Sequence, residues 1–216
     1  MTSGKIKPIP YFPVFLNLRG KRCVVIGGGK VALRKVKILL ECKAEVEVIS
    51  PDLHPNLARL VKKKGLRRVS REYRRGDLDG AVIVIAATDV QEVNDRISQD
   101  AKRRGSLVNV VDDPELSDFI LPSFFRKNGL ILAVSTSGKS PALARKIRTR
   151  LEKYFGEEYA ALLSLIEEVR SELKQRGIKV RPEAWQRTLD LDLLIELVKM
   201  DQREKARAVL LGNLRI

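Results

Sequence analysis

A chain of 216 residues, 44% hydrophobic and 32% charged, is long enough for one sizeable core and an appendage in water. It holds no apolar run near the roughly 20 residues that span a bilayer, and its first residues, MTSGKIKPIPYF, lack the apolar core of a secretory signal. A net charge of +15 admits three partners: nucleic acid, an acidic membrane surface or a polyanionic small molecule. Few aromatic residues interleave with the basic runs Lys62-Lys63-Lys64, Arg67-Arg68 and Lys102-Arg103-Arg104, which speaks against a base-stacking surface. Neither nucleic acid nor membrane is expected as a partner.

In chain order, Arg22–Ile26 predicts a strand and Val31–Glu41 a helix, with Ala32, Leu33, Val36, Leu39 and Leu40 at helical spacing. Glu45–Ser50 reads as a second strand ended by Pro51, Leu57–Lys64 as a short amphipathic helix, and Leu66–Ser70 as a basic strand near an edge. The run AVIVIAA, Ala81–Ala87, is apolar throughout, as expected of a parallel strand covered on both faces. Val90–Arg104 is helical and Leu107–Val111 returns to strand. The alternation of strand and helix predicts an α/β fold, a Rossmann-type doubly wound parallel sheet. After Asp112-Asp113-Pro114 the pattern changes. Asp118–Lys127 and Leu130–Thr136 read as strands joined at Asn128-Gly129, a type I′ hairpin signal. Such a hairpin is marginal alone, and a second copy of the chain is one source of cover. Ser140 then reads as an N-cap with Pro141 at the first helical position. The remainder is helical: Tyr159–Arg176 with Leu162, Leu163, Ile166 and Val169 on one face, a break at Pro182, then Leu189–Lys199 and Glu204–Leu211. The expected divisions are 1–113 for a nucleotide-binding domain, 114–145 for a hairpin and dimerisation segment, and 146–216 for a small helical domain.

Chemistry concentrates at the first strand–helix junction. Ile26-Gly27-Gly28-Gly29-Lys30-Val31-Ala32 fits G-x-G-x-x-A between a strand and a helix. Gly27 permits a sharp turn, Gly29 lets the backbone approach a pyrophosphate, and Ala32 lets helix and strand pack closely. The free N–H groups of the helix start then face the phosphates. Asp112 sits at a strand's carboxyl end, where open α/β sheets place their sites. It reads either as a proton acceptor or as a cap before Pro114, with Asp113 as the competing carboxylate. Asn109 fixes either a ligand or a loop. The Ser135–Ser140 segment, ahead of a helix, can cradle an anion or simply cap that helix. His54, the sole histidine, and the two cysteines, Cys23 and Cys42, form no metal-ligand cluster. Reduced thiols suit a cytoplasmic protein.

The motifs IGGGKVALRK, IAATD, NVVDDP, DFILPSFF and AVSTSGKSPALAR, in that order from Tyr11 to Leu151, resemble the dehydrogenase–ferrochelatase module of siroheme synthases. The resemblance implies NAD-dependent oxidation of precorrin-2 to sirohydrochlorin, a polyanionic tetrapyrrole, by a homodimer. Fe2+ joins as substrate only if the member is also a chelatase. Uroporphyrinogen methylation is not expected, because the methyltransferase domain of the fused enzymes has no counterpart in these residues. The resemblance implies Asp112 as the catalytic residue. It implies Gly27, Gly28, Gly29, Lys30, Val31, Pro51, Asp52, Thr88 and Asp89 around NAD, and Asn109, Ser135, Thr136, Ser137 and Lys139 around the tetrapyrrole. Ser50 stands where an acidic residue usually meets the adenosine ribose, so NAD over NADP is left open. Substrate carboxylates would suit Arg126, Lys139, Arg145 and Lys146. The alternative, from a different class, is a nucleotide-sensing module without catalysis, since this fold hosts both.

Overall fold

The computed structural model describes residues 10–214; the first nine residues, most of the stretch read above as lacking a secretory signal, and the last two lie outside them. The chain divides into two compact units between Leu121 and Pro122. No helix among the described residues is long and apolar enough to cross a membrane.

The first unit is a five-stranded sheet: β1 (Arg22–Ile26), β2 (Glu45–Ile49), β3 (Arg67–Val69), β4 (Ile83–Ala86) and β5 (Leu107–Val110). Helices α1 (Lys30–Glu41), α2 (Pro55–Lys64) and α3 (Gln91–Arg103) connect them. All strands are parallel in the order β3-β2-β1-β4-β5. The chain therefore winds outward from β1 to β3, then starts again at β4, and the switch between β1 and β4 opens a crevice at their carboxyl ends. Alternate residues feed two cores. Cys23, Val25, Val46, Val48, Ile83 and Ile85 pack with Ala32, Val36, Leu39 and Leu57 on one face. Val24, Ile26, Ile49, Val84, Ala86 and Val108 pack with Ile97 and Ala101 on the other. Each valine, leucine or isoleucine among them, fully buried, contributes about 1.5–3 kcal/mol. Burial on both faces is why β1 and β4 are apolar without alternation.

Polar exceptions inside the sheet are paired. Glu47, 4% exposed on β2, lies 2.7 Å from Arg22 Nη2 and 3.2 Å from Arg67 Nε. That pairing explains a charged residue in an otherwise buried strand and ties β1 to edge strand β3.

Most boundaries shift by one or two residues: β4 starts at Ile83, not Ala81, the second hairpin strand ends at Val134, not Thr136, and the helices expected from Tyr159 and Leu189 start at Glu157 and Leu191. Two further shifts have identifiable reasons. Helix α2 starts at Pro55, two residues early, because His54 Nδ1 accepts from Asn56 N (3.2 Å) and Pro55 presets the first turn. The strand expected from Asp118 begins only at Ser123. Residues 117–118 are instead bound along the edge of β5: Val110 N donates to Ser117 Oγ (2.9 Å) and Val108 N to Asp118 Oδ2 (3.0 Å). Asp118 N donates in turn to Val108 O (2.8 Å), so side chains and one backbone bond together do the work of a sixth strand.

The second unit contains an antiparallel pair, β6 (Ser123–Lys127) and β7 (Leu130–Val134), and helices α4 (Pro141–Tyr154), α5 (Glu157–Gln175), α6 (Pro182–Thr188), α7 (Leu191–Lys199) and α8 (Arg203–Asn213). Asn128 and Gly129 both have positive φ (40° and 96°), as a type I′ turn requires. Ser140 caps α4 by accepting from Leu143 N (3.2 Å), with Pro141 at the first turn. The buried row of α5 is Leu162, Leu165, Val169 and Leu173, packed on Leu194 and Leu210. Leu163, expected in that row, is 38% exposed, because the stripe follows the spacing 162-165-169-173. Trp185 and Tyr159 pack at the margin of this core.

Candidate nucleotide and catalytic site

The three glycines after β1 have different reasons to be glycine. Gly27 has φ +121° and hydrogen-bonds Ile49 O (2.9 Å); a Cβ there would lie 2.2 Å from Ala87 O. A Cβ on Gly28 would lie 1.8 Å from Asp52 O. These two let the turn nest between the ends of β4 and β2. Gly29 is different: its φ of −81° and ψ of −172° suit any residue, and a Cβ there would meet nothing within 4 Å. The folded chain therefore makes no demand for glycine at 29, whereas a phosphate approaching the backbone would. Gly29 is also the N-cap of α1, with no side-chain cap and no acidic residue in the first turn. Lys30 is exposed and Val31 half-buried at that helix start. The donors of the first turn and the positive end of the dipole suit a pyrophosphate.

Beside this turn, the loop after β2 is held by Ser50, whose Oγ donates to Asp52 O (2.7 Å), and by His54 N, which donates to Gly28 O (2.8 Å). Arg68 Nη2 donates to Pro51 O (2.7 Å). Ser50 thus fills the strand-tip position with an internal bond, and Pro51 and Asp52 are left exposed next to the glycine turn. The His54 side chain is a helix cap, and no group of three or more potential metal ligands lies among the described residues.

After β4, Thr88 Oγ1 contacts Asn94 Oδ1 (2.8 Å), and Asn94 Nδ2 donates to Thr88 O (3.0 Å). Buried Asn94, not anticipated from the sequence, therefore sets the turn that presents exposed Asp89. After β5 the two neighbouring carboxylates separate by role. Asp113 Oδ1 accepts from Leu116 N (3.0 Å) and its Oδ2 from Gln91 Nε2 (3.2 Å), so it closes the loop. Asp112 is exposed, makes no hydrogen bond among the described residues, and sits at φ +60°. A left-handed non-glycine residue costs on the order of 1 kcal/mol, and here it turns a carboxylate out at the strand tip.

Behind Asp112 lies a second residue that the sequence did not reveal. Lys35, 9% exposed, donates from Nζ to Asn109 Oδ1 (3.2 Å), and Asn109 Nδ2 donates to Phe119 O (3.0 Å). Both ends of the Asn109 amide are thereby engaged inside the unit. Burial, reinforced by neighbouring Arg34 and opposed by Asp112, lowers the Lys35 ammonium from its ordinary 10.5 to about 8. The available signal was positional: Lys35 occupies the inner row of α1 with Ala32, Val36 and Leu39, where an apolar residue is the norm.

Gly27–Val31, Pro51–Asp52, Thr88–Asp89 and Asn109–Asp112 thus belong to one unit, each at or next to the carboxyl end of a strand. Ser135, Thr136, Ser137 and Lys139 belong to the other. There Ser135 Oγ accepts from Ser137 N (3.0 Å) and Thr136 Oγ1 from Ser140 N (3.0 Å), forming a tight turn with Ser137 and Gly138 at positive φ. Ser135, Ser137 and Lys139 are exposed. A cavity of about 730 Å3 in the second unit, lined by Leu163, Ile166, Arg170 and Trp185 among others, contains none of the expected site residues.

A doubly wound sheet with a glycine turn at its switch point defines a dinucleotide-binding α/β protein. Comparison with known proteins is more specific. Residues 14–123 match the family described as "Putative NAD(P)-binding", and residues 128–154 match "Sirohaem biosynthesis protein central". The chain belongs to this NAD(P)-binding family. It is 45% identical over 164 residues to a siroheme synthase of Methylobacillus flagellatus, covering 76% of this chain and 35% of that protein. It is 40% identical over 202 residues to one of Thioalkalivibrio sulfidiphilus, covering 93% and 41%. It thus spans about two fifths or less of the length of these relatives. A solved structure described as SirC, precorrin-2 dehydrogenase, matches with a TM-score of 0.70 and 25% identity, over 95% of this chain and 100% of that one.

Proposed function

We propose that this chain oxidises precorrin-2 to sirohydrochlorin, with Asp112 as the proton acceptor. The observation that carries the reading is the pair of features at the switch point: a glycine whose open side only a ligand requires, and an outward carboxylate free of internal hydrogen bonds. Similarity to a precorrin-2 dehydrogenase over nearly the whole chain names the chemistry those features suit.

When bound, NAD+ supplies the hydride acceptor. Gly27, Gly28 and Gly29 with Lys30 and Val31 receive its pyrophosphate, Pro51 and Asp52 flank the adenosine ribose, and Thr88 and Asp89 border the nicotinamide side. Precorrin-2 loses a hydride and a proton in this two-electron oxidation. The proton passes to Asp112 and then to water, a transfer that an exposed carboxylate can perform. Asn109, engaged at both ends, holds the tip of β5 for the substrate. Ser135, Thr136, Ser137 and Lys139 are assigned as contacts for substrate carboxylates, offering exposed hydroxyls and an ammonium. We assign no residue to iron insertion, which is a separate activity with its own assay.

The same reading makes the protein a homodimer through the hairpin segment 114–145. Two five-residue strands are marginal as a sheet, and Ile131, 38% exposed, shares a face of the hairpin with Phe124 and Ala133. Light scattering on a sizing column would read the mass directly. Two free cysteines suit a reducing compartment, and we place the enzyme in the cytoplasm. The test of the catalytic assignment is Asp112→Asn. Turnover should fall by about 10²- to 10⁴-fold with NAD+ affinity unchanged, and wild-type turnover would refute it. A sensor without chemistry predicts no turnover in either protein.

A further inference from the structure

Lys35 is a buried cation that the proposed reaction does not use. It sits one turn into α1, the helix whose first turn faces the nucleotide, and it reaches over β4 to β5. The register shows the path: Asn109 pairs with Ile85, which lies in the core on the α1 side of the sheet. On that side of β5 lie the Lys35 side chain and the returning segment at Phe119. The ammonium thus binds the amide that also holds Phe119 O, so one hydrogen-bond chain joins α1, the end of β5 and the loop beyond Asp112. An apolar residue would cover the strand at lower cost, because burying an ammonium is unfavourable unless it is well paired. Only one hydrogen bond to Lys35 Nζ is made among the described residues. The charged groups acting on it are Arg34 on its own helix and Asp112 beyond β5.

We propose that Lys35 is a positioning residue for Asp112: it ties the helix that receives the nucleotide to the strand tip that presents the carboxylate. This inference rests on the reading of Asp112 as the proton acceptor. Its stem supplies packing that methionine can replace, whereas its charge and its bond to Asn109 cannot be replaced that way. Lys35 should be protonated at neutral pH and lose its charge as pH passes about 8.

The test compares Lys35→Met, Lys35→Arg and Asp112→Asn by four readouts: thermal melting, NAD+ affinity, kcat and the pH dependence of kcat. Lys35→Met should lower kcat by about 10- to 100-fold, the scale of a misplaced reacting group. It should leave NAD+ affinity within about twofold, a difference below 0.5 kcal/mol, and melt no lower than the wild type at pH 7. The limb of the kcat profile near pH 8 should be present in the wild type and absent from Lys35→Met. Lys35→Arg, which keeps charge and donors, should recover part of the loss. Wild-type kcat and pH profile in Lys35→Met would overturn the proposal. A drop in melting temperature and NAD+ affinity with kcat of the bound enzyme unchanged would also overturn it, by reducing Lys35 to a structural role. Full activity in Asp112→Asn would instead defeat the underlying reading, so the two failures are distinct.

Discussion

Replacing Gly29 with alanine separates what the fold needs from what the cofactor needs. Gly29 has ordinary backbone angles and open space where a Cβ would go. Alanine there meets no clash and no strained backbone angle. The N-cap preference for glycine over alanine, on the order of 1 kcal/mol, is offset by the smaller entropy of the unfolded chain, about 0.4–1 kcal/mol. Stability should therefore stay within about 1 kcal/mol of the wild type. The same methyl group would project toward the space that a pyrophosphate must enter. Losing one charge-assisted hydrogen bond costs about 1.5–3 kcal/mol, so NAD+ binding should weaken by about 10- to 150-fold. Gly27→Ala and Gly28→Ala provide the contrast. Their methyl groups would fall 2.2 Å from Ala87 O and 1.8 Å from Asp52 O, both backbone atoms, and Gly27 adds φ +121°. Each should destabilise the first unit by about 3 kcal/mol or more. Thermal melting followed by circular dichroism, with calorimetric titration of NAD+, reads both quantities. Gly29→Ala that binds NAD+ as tightly as the wild type would refute the argument, as would Gly29→Ala that melts as low as Gly28→Ala.

Other outcomes follow from particular side chains. Asp113→Ala should cost about 1 kcal/mol through the lost loop hydrogen bond from Leu116 N, and the folded fraction should keep its turnover, as measured by urea unfolding alongside the activity assay. The Arg71 guanidinium holds the Asp77 carboxyl below its ordinary 3.8, with burial acting against it. Because the folded value is depressed, the stabilisation is present above the unfolded value and disappears as pH falls through the folded one. Asp77→Asn should therefore flatten the acid limb of a stability–pH curve below about pH 4. Burial pushes the Cys23 thiol up to about 11. Iodoacetamide at pH 8 should leave Cys23 unmodified in the folded protein and alkylate it in guanidinium chloride, as peptide mass mapping would show.

The parts of this fold legible in the sequence are those encoded locally. Apolar runs such as Val24–Ile26 and Ile83–Ala86 end at glycine or threonine–aspartate turns, so strand and turn are adjacent in the chain. Asn128-Gly129 and Ser140-Pro141 likewise carry their conformations in the dipeptide itself. The less legible parts depend on bonds between distant residues. Asp118 reads as the first residue of a strand, but it and Ser117 satisfy the N–H groups of Val108 and Val110, and that pairing has no periodic signature. Lys35 looked like one basic residue among many, and only the approach of α1 to β5 shows it bonded to Asn109. Between Asp112 and Asp113 only the motif resemblance favours Asp112; the residues themselves offer no physical reason. Their division of labour comes from backbone geometry: a left-handed turn at Asp112 sends one carboxylate outward and the other into the loop.

The oxidation itself is most directly tested with purified protein mixed anaerobically with enzymatically prepared precorrin-2, with NAD+ or NADP+ in parallel, followed by absorbance. Sirohydrochlorin should form only with NAD+ and with one NADH per product molecule. Folded protein that binds NAD+ yet forms no sirohydrochlorin with either nucleotide would contradict the proposed reaction.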